Sequence, residues 1–419
     1  MAISGVFGNR TFRYLFGAAT ASNFGSMLNA MALPFVAIIV LDASPADIAS
    51  LTAAGILPGF VLGLLASTWV DRLPRRLVMM VADWGRAVLL LWIPIGAALD
   101  VLTLLQLHLV VAGHGLLGFL FGTASHAVLP QVVEGSQLVE ANGRIKAADA
   151  VTEGVAFASG GWLVQWLTAP LVILVDAVSY AVSGLLLVGV KTKGAHNPTG
   201  PQDRRSIWSE MGTGLAFLVS HPLLLPSAAS VALSLMGWRM AGVAYMLFVY
   251  EELGLQPGVL GLAFSAGAVS CFLGALGAER LGPRIGVGPA MILGLGVFAA
   301  AAFVLPLVPV ASTPALWALA LAVLVVHQLA DGFEVIFEIH QTSLQQTVTP
   351  DALLGRVGGA VRFACSGAAL GGLLLGGLIG ERYGLRATLG AGAVVLALGW
   401  LILVLSPVRV LRELPRSET

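Results

Sequence analysis

In the stretch 327–341, HQLADGFEVIFEIHQ, the side chains His327, Asp331, Glu334 and Glu338 form a set that could do chemistry. They are spaced four, three and four apart, which puts them on one face of a helix. Gln341 and Gln345 extend that face within an arc of about 80°, while Leu329, Phe333, Ile336 and Ile339 take the other side. The surrounding residues are chosen for hydrocarbon, and a charge at the centre of a lipid-embedded helix costs about 2.5–3.5 kcal/mol on insertion scales. Such residues must therefore face protein or water. One reading is that the carboxylates take up and release protons, with Asp331 and Glu334 foremost. The other is a static network in which each acid is held by an arginine or a backbone group. Depth, counted from the outer end of the apolar run, sets His327 and Asp331 near mid-membrane, Glu334 further inward and Glu338 toward the cytoplasmic surface.

Arg239, in LSLMGWRMAG, is the main positive charge at comparable depth. It is a candidate counter-ion to these acids or a hook for an anionic group on a substrate. Asp176 and Arg362 are secondary candidates. Asp83 and Arg86 are three apart and suit a same-helix ion pair near the inner surface, and Asp149 and Glu153 read as inner-surface polar structure.

The elements that must position these residues follow from composition. Of 419 residues 58% are hydrophobic and 11% charged, and the mean hydropathy is +0.92, too apolar for a soluble chain. Apolar runs fall at about 14–41, 48–70, 77–98, 102–128, 146–168, 170–190, 222–249, 258–279, 287–309, 314–340, 360–380 and 385–405. The fold class expected is an all-α membrane protein of twelve transmembrane helices in two pseudo-symmetric six-helix halves, residues 1–190 and 207–419. The polar segment 191–206, KTKGAHNPTGPQDRRS, links them. The segment IWSEMGTGLAFLVSH predicts either a helix lying on the inner membrane face or an extension of the seventh span.

Lysines and arginines collect in the loops that face one side when both termini are inside, which predicts N-in, C-in topology. Formal net charge is zero and by itself says nothing about an acidic or nucleic-acid partner; the expected partners are a small organic substrate, protons and the bilayer, with no nucleic acid. Cys271 and Cys365 read as packing residues. No cleavable signal is apparent, and the first span is expected to direct insertion.

An internal repeat is visible. STWVDRLPRR after the second span aligns with ALGAERLGPR after the eighth, so that Asp71, Arg72 and Arg76 match Glu279, Arg280 and Arg284 at a shift of 208 positions. The first of these runs resembles the signature loop of the major facilitator superfamily. DRLPRR, ADWGRA, LPQVVEGSQLVEAN, TPDALLGRV and the LQQ at 344–346 are similar to the branch holding the macrolide and enterobactin exporters. The sequence departs from the pattern at Ser67 and Pro74 in the loop, at Ser26, where relatives often carry an acid, and at Ala156 and Phe157 in the fifth span.

The resemblance implies alternating access. Asp71 would meet a helix N-terminus while Arg72, Arg75, Arg76, Glu279, Arg280, Arg284 and Arg362 form a cytoplasmic gate network. Simple positive-inside anchoring accounts for the arginines alone.

No P-loop, metal-ligand spacing or dinucleotide fingerprint is present, so neither enzymatic chemistry, cofactor nor metal is expected. The function expected is proton-coupled efflux of a small amphipathic organic compound by a monomer in a bacterial inner membrane. Uptake or facilitated diffusion of a specific solute is the alternative, and a membrane receptor or lipid-handling protein on this fold is another.

Overall fold

A computed structural model describes residues 5–65, 74–133, 137–191, 207–310, 312–350 and 353–414. Asp71, Arg72 and the linker beyond Lys191 lie outside these residues. Fourteen α-helices occupy the described chain. In the N-terminal part they are α1 (Arg10–Phe35), α2 (Pro45–Leu65), α3 (Arg75–Ala98), α4 (Leu104–Val132), α5 (Leu138–Leu167) and α6 (Ala169–Val188). After the linker come α7 (Ile207–Ser220), α8 (Leu224–Leu247), α9 (Pro257–Ile285), α10 (Val287–Val304), α11 (Pro314–Leu329), α12 (Asp331–Val348), α13 (Leu354–Tyr383) and α14 (Leu385–Leu405).

Among the described residues ten spans are long and apolar enough to cross a bilayer by themselves, α11 and α12 counting as one. The remaining two of the twelve are α2, whose apolar stretch is Pro45–Val61, and α5, which carries Glu140, Arg144, Lys146, Asp149 and Glu153 toward one end. The outward surface is apolar, as lipid requires: Val88, Leu109 and Leu378 are all more than 60% exposed.

The chain forms two compact units: residues 1–43, 51–202 and 257–262, and residues 44–50, 203–256 and 263–419. In the first, α1 packs on α5 and α6, and α3 packs on α4 and α6. The second repeats this pattern. There α8 packs on α13 and α14, and α10 packs on α12 and α14. Local signals repeat as well. Thr103 caps α4 and Thr313 caps α11, each hydroxyl accepting a backbone N–H three residues on. The first span of each unit ends in one wide π turn, Val36–Val40 after α1 and Phe248–Glu252 after α8. Single residues at positive φ reverse the chain between the fifth and sixth spans of each unit, Thr168 (φ 79°) in one and Gly384 (φ 84°) in the other.

Each core is aliphatic and aromatic. Phe12, Leu15, Met79, Val128 and Leu187 centre the first, and Met291, Leu295, Phe298, Phe337 and Leu396 the second.

One open alternative is decided and one expectation is corrected. The segment before the seventh span is a separate helix, α7, and not an extension, because His221 turns the chain. Its Nδ1 accepts the N–H groups of Leu223 and Leu224 at 3.2 and 3.3 Å. The tenth span is two helices broken at Ala330, not one. Along α13, Gly372 and Gly376 lie close against the backbone of Met236 and Met240, whereas Gly367 and Gly371 face open space.

Candidate functional site

The break at Ala330 is made by a neighbouring helix. Ser270 of α9 donates its hydroxyl to the Leu329 carbonyl at 2.5 Å and accepts the Gly332 N–H at 3.2 Å, standing in for ladder bonds. The approach is possible because Gly274 faces Gly332, and a side chain on either would strike the other helix's backbone or Ser270. The consequence is chemical. Asp331 and Glu334 now occupy the first turn of a new helix, at the positive end of its aligned peptide dipoles.

Around this point the second unit gathers several of the predicted residues. Asp331 has an oxygen against Gly267 of α9 and lies within electrostatic reach of Tyr245 of α8. Glu334 has Asp331 and Glu338 as its electrostatic neighbours. Glu334 is half-buried and Glu338 exposed. The His327 ring lies 6.0 Å from that of Tyr245. It also meets the backbone of Ala301 and borders an apolar cavity of about 160 Å³ lined by Ala301, Val304, Ala322, Val323 and Val326.

Arg239 does not join this group as an ion pair with Glu334 or Glu338 among the described residues. Its guanidinium lies 5.0 Å from the Trp238 ring and its Nε has no hydrogen-bond partner. The buried face of α12 also holds His340 and Gln341. His340, whose Nδ1 meets the Ile336 carbonyl at 2.8 Å, is a polar core residue that helical spacing from Ile336 and Phe337 could have revealed.

The gate candidates divide. Arg76 donates to the carbonyls of Leu187 and Val188 at 2.9 and 2.6 Å and so caps the end of α6. Arg75 begins α3. Glu279, Arg280 and Arg284 are exposed on the last turns of α9, which runs on to Ile285 and leaves no loop there. Arg362 is exposed on α13.

The first unit contains the most deeply buried charges. Asp83 and Arg86 are ion-paired, as their spacing predicts, but they lie in the packed interior and not at a surface. Ser183 of α6, a hundred residues away, donates to the second Asp83 oxygen at 2.6 Å. Asp176, one turn before Tyr180 on α6, is fully buried in the same layer. Depth counting from helix ends set Asp83 and Arg86 near the inner surface and did not connect them with Asp176, because the partners come from α6, α4 and α1. Asp149 accepts from Asn23 of α1 at 3.2 Å.

Residues 15–372 match the model of the Major Facilitator Superfamily. The chain belongs to that superfamily. It is a multi-pass membrane transporter and not an enzyme. Among similar superfamily members, the "Multidrug efflux pump Tap" of Mycobacterium tuberculosis is 28% identical over 96% of this chain and 94% of its own length. The "Enterobactin exporter EntS" of Escherichia coli is 24% identical over 88% and 85%. A crystal structure of a bacterial homologue of the iron transporter ferroportin, in an inward-facing state, is 16% identical. It superposes with a TM-score of 0.75 over 94% of this chain and 98% of that one. At that identity the likeness speaks for the superfamily fold alone.

Proposed function

We propose that the chain is a secondary active transporter that exports a small amphipathic organic compound, such as a drug, an antibiotic or a siderophore-like metabolite, in exchange for protons. The observation that carries this reading is the carboxylate run at the head of α12, where Glu334 has two other acids as neighbours. Acids are retained in such a place when proton exchange is their task. The efflux names of two relatives that align along most of the chain support the direction.

In this reading residues 1–190 and 207–419 are the moving halves, joined through 191–206, and transport proceeds by alternating access. His327 and Arg239 orient the cargo or the acids, and Glu338 stands in the vestibule. Asp71, Arg72, Arg75, Arg76, Glu279, Arg280, Arg284 and Arg362 act at the cytoplasmic gate. The protein works as a monomer in a bacterial inner membrane with both termini in the cytoplasm.

The test uses proteoliposomes and ethidium as the probe. An imposed pH gradient should drive ethidium accumulation in vesicles carrying the parent chain and not in those carrying Glu334→Gln or Asp331→Asn. Equal accumulation by parent and both variants would remove the coupling role of α12.

A further inference from the structure

The buried set in the first unit is organised around a hydrogen-bond chain with one direction. Ser26 of α1 gives its hydroxyl hydrogen to the Ser22 carbonyl at 2.7 Å. The 2.8 Å contact between Ser26 and Tyr180 must then use the tyrosine hydrogen. The Tyr180 oxygen, having donated, accepts at 2.9 Å from Nε2–H of His114 on α4. Arg86 packs over the Tyr180 ring, with its guanidinium carbon 4.1 Å from the centroid, and lies 4.6 Å from that of Phe121. Its charge is already engaged by Asp83.

Asp176 is left outside these arrangements. Ser179 approaches its Oδ1 at 3.2 Å but lies nearer its backbone carbonyl at 2.8 Å, so one hydroxyl hydrogen is divided between them. Oδ2 has no partner, and the residue has no solvent exposure. Gly25 of α1 lies directly against the carboxyl group. The charged and titratable groups facing Asp176 are Arg86 and Asp83 from α3 and Tyr180 from its own helix, with His114 of α4 one hydrogen bond further on. From α5, Asp149 turns to Asn23 and has Glu153 and Lys146 beside it.

One guanidinium faces two carboxyl groups, so with neutral His114 the set is electroneutral only when it also holds one proton. Asp83 holds the arginine in an ion pair and a serine donor; Asp176 feels the arginine only at longer range and has no full hydrogen bond. An uncompensated carboxylate in such a place carries a large desolvation cost.

We propose that Asp176 is a second proton-binding group of this transporter, in the first unit, holding a proton in the packed arrangement and releasing it to water when the contact of α1 with α6 at Gly25 opens. The step conserves charge: the carboxylic acid becomes a carboxylate, and the proton leaves to solvent. Its use in transport rests on the proton-coupled reading above; the bound proton itself does not.

Infrared spectroscopy of the reconstituted full chain at neutral pH tests it. The parent should show the C=O stretch of a protonated carboxylic acid that Asp176→Asn removes and Glu334→Gln leaves in place. A spectrum of Asp176→Asn that superposes on the parent's overturns the proposal. Should that variant fail to fold, Ser179→Ala, which withdraws the hydroxyl 3.2 Å from Oδ1, should shift the same band, and an unshifted band is equally decisive against it. In vesicles, Asp176→Asn should lose gradient-driven ethidium accumulation and keep ethidium counterflow at equal pH. Full gradient-driven accumulation by this variant would reduce Asp176 to a structural acid. If the parent itself shows no gradient dependence, the export reading fails and Asp176 has no coupling role, while the infrared band still reports whether it binds a proton.

Discussion

At the scale of single residues, two positions are set by local chemistry strong enough to measure. Thr168 reverses the chain at φ 79° and ψ 151°, a region that suits glycine, whereas the corresponding reversal in the second unit uses Gly384. A β-branched residue there carries about 1–3 kcal/mol of strain. Thr168→Gly should raise stability by about 1 kcal/mol, read as a higher thermal midpoint in detergent, and an unchanged or lower midpoint would contradict the strain. His221 works through its unprotonated Nδ1, which accepts two N–H groups at the start of α8. Burial holds this imidazole below its ordinary value in the folded chain. Its contribution is therefore complete above the unfolded value of about 6.5 and is lost as pH falls through the lower folded one. Loss of a cap is worth about 1 kcal/mol. Thermal midpoints should fall more steeply from about pH 7.5 to 5.5 in the parent than in His221→Asn, whose amide oxygen can accept at every pH; parallel curves would show that the cap does not titrate.

At the scale of elements, the crossing of α9 over the joint of α11 and α12 decides where the acids stand. Gly274 and Gly332 let the two backbones approach, and Ser270 bridges Leu329 and Gly332 across the break. A valine at Gly274 would force the crossing apart and withdraw the serine, at a cost of about 1–3 kcal/mol for overpacking. Gly274→Val should therefore lower the thermal midpoint and also the pH-gradient-driven uptake of ethidium, because Asp331 and Glu334 lose their place at a helix start. Retained uptake at a lowered midpoint would separate the packing from the chemistry. The twelve apolar spans were legible in hydropathy because lipid imposes the same requirement on each. The break at Ala330 was not, since nothing in HQLADGFEV announces it and Ser270, which makes it, lies sixty residues earlier.

At the scale of the whole molecule, the two units repeat one packing pattern and fill it with different chemistry. The third span of the first unit buries Asp83 and Arg86 against Ser183 and Tyr180. Its counterpart α10, VGPAMILGLGVFAAAAFV, buries only apolar side chains and glycine, and the second unit places its acids on the tenth span instead. The duplication could be read from DRLPRR and AERLGPR; this difference in use could not, because the depth of Asp83 is set by partners on other helices. A stripe on one helix can be found by counting, whereas a buried cluster drawn from four helices needs the fold. One feature common to both units bears on how the chain is made. With a single residue between Leu167 and Ala169, and again between Tyr383 and Leu385, the fifth and sixth spans of each unit have no slack between them. Each pair must leave the translocation channel as one hairpin during synthesis, the later span drawn into lipid alongside the earlier.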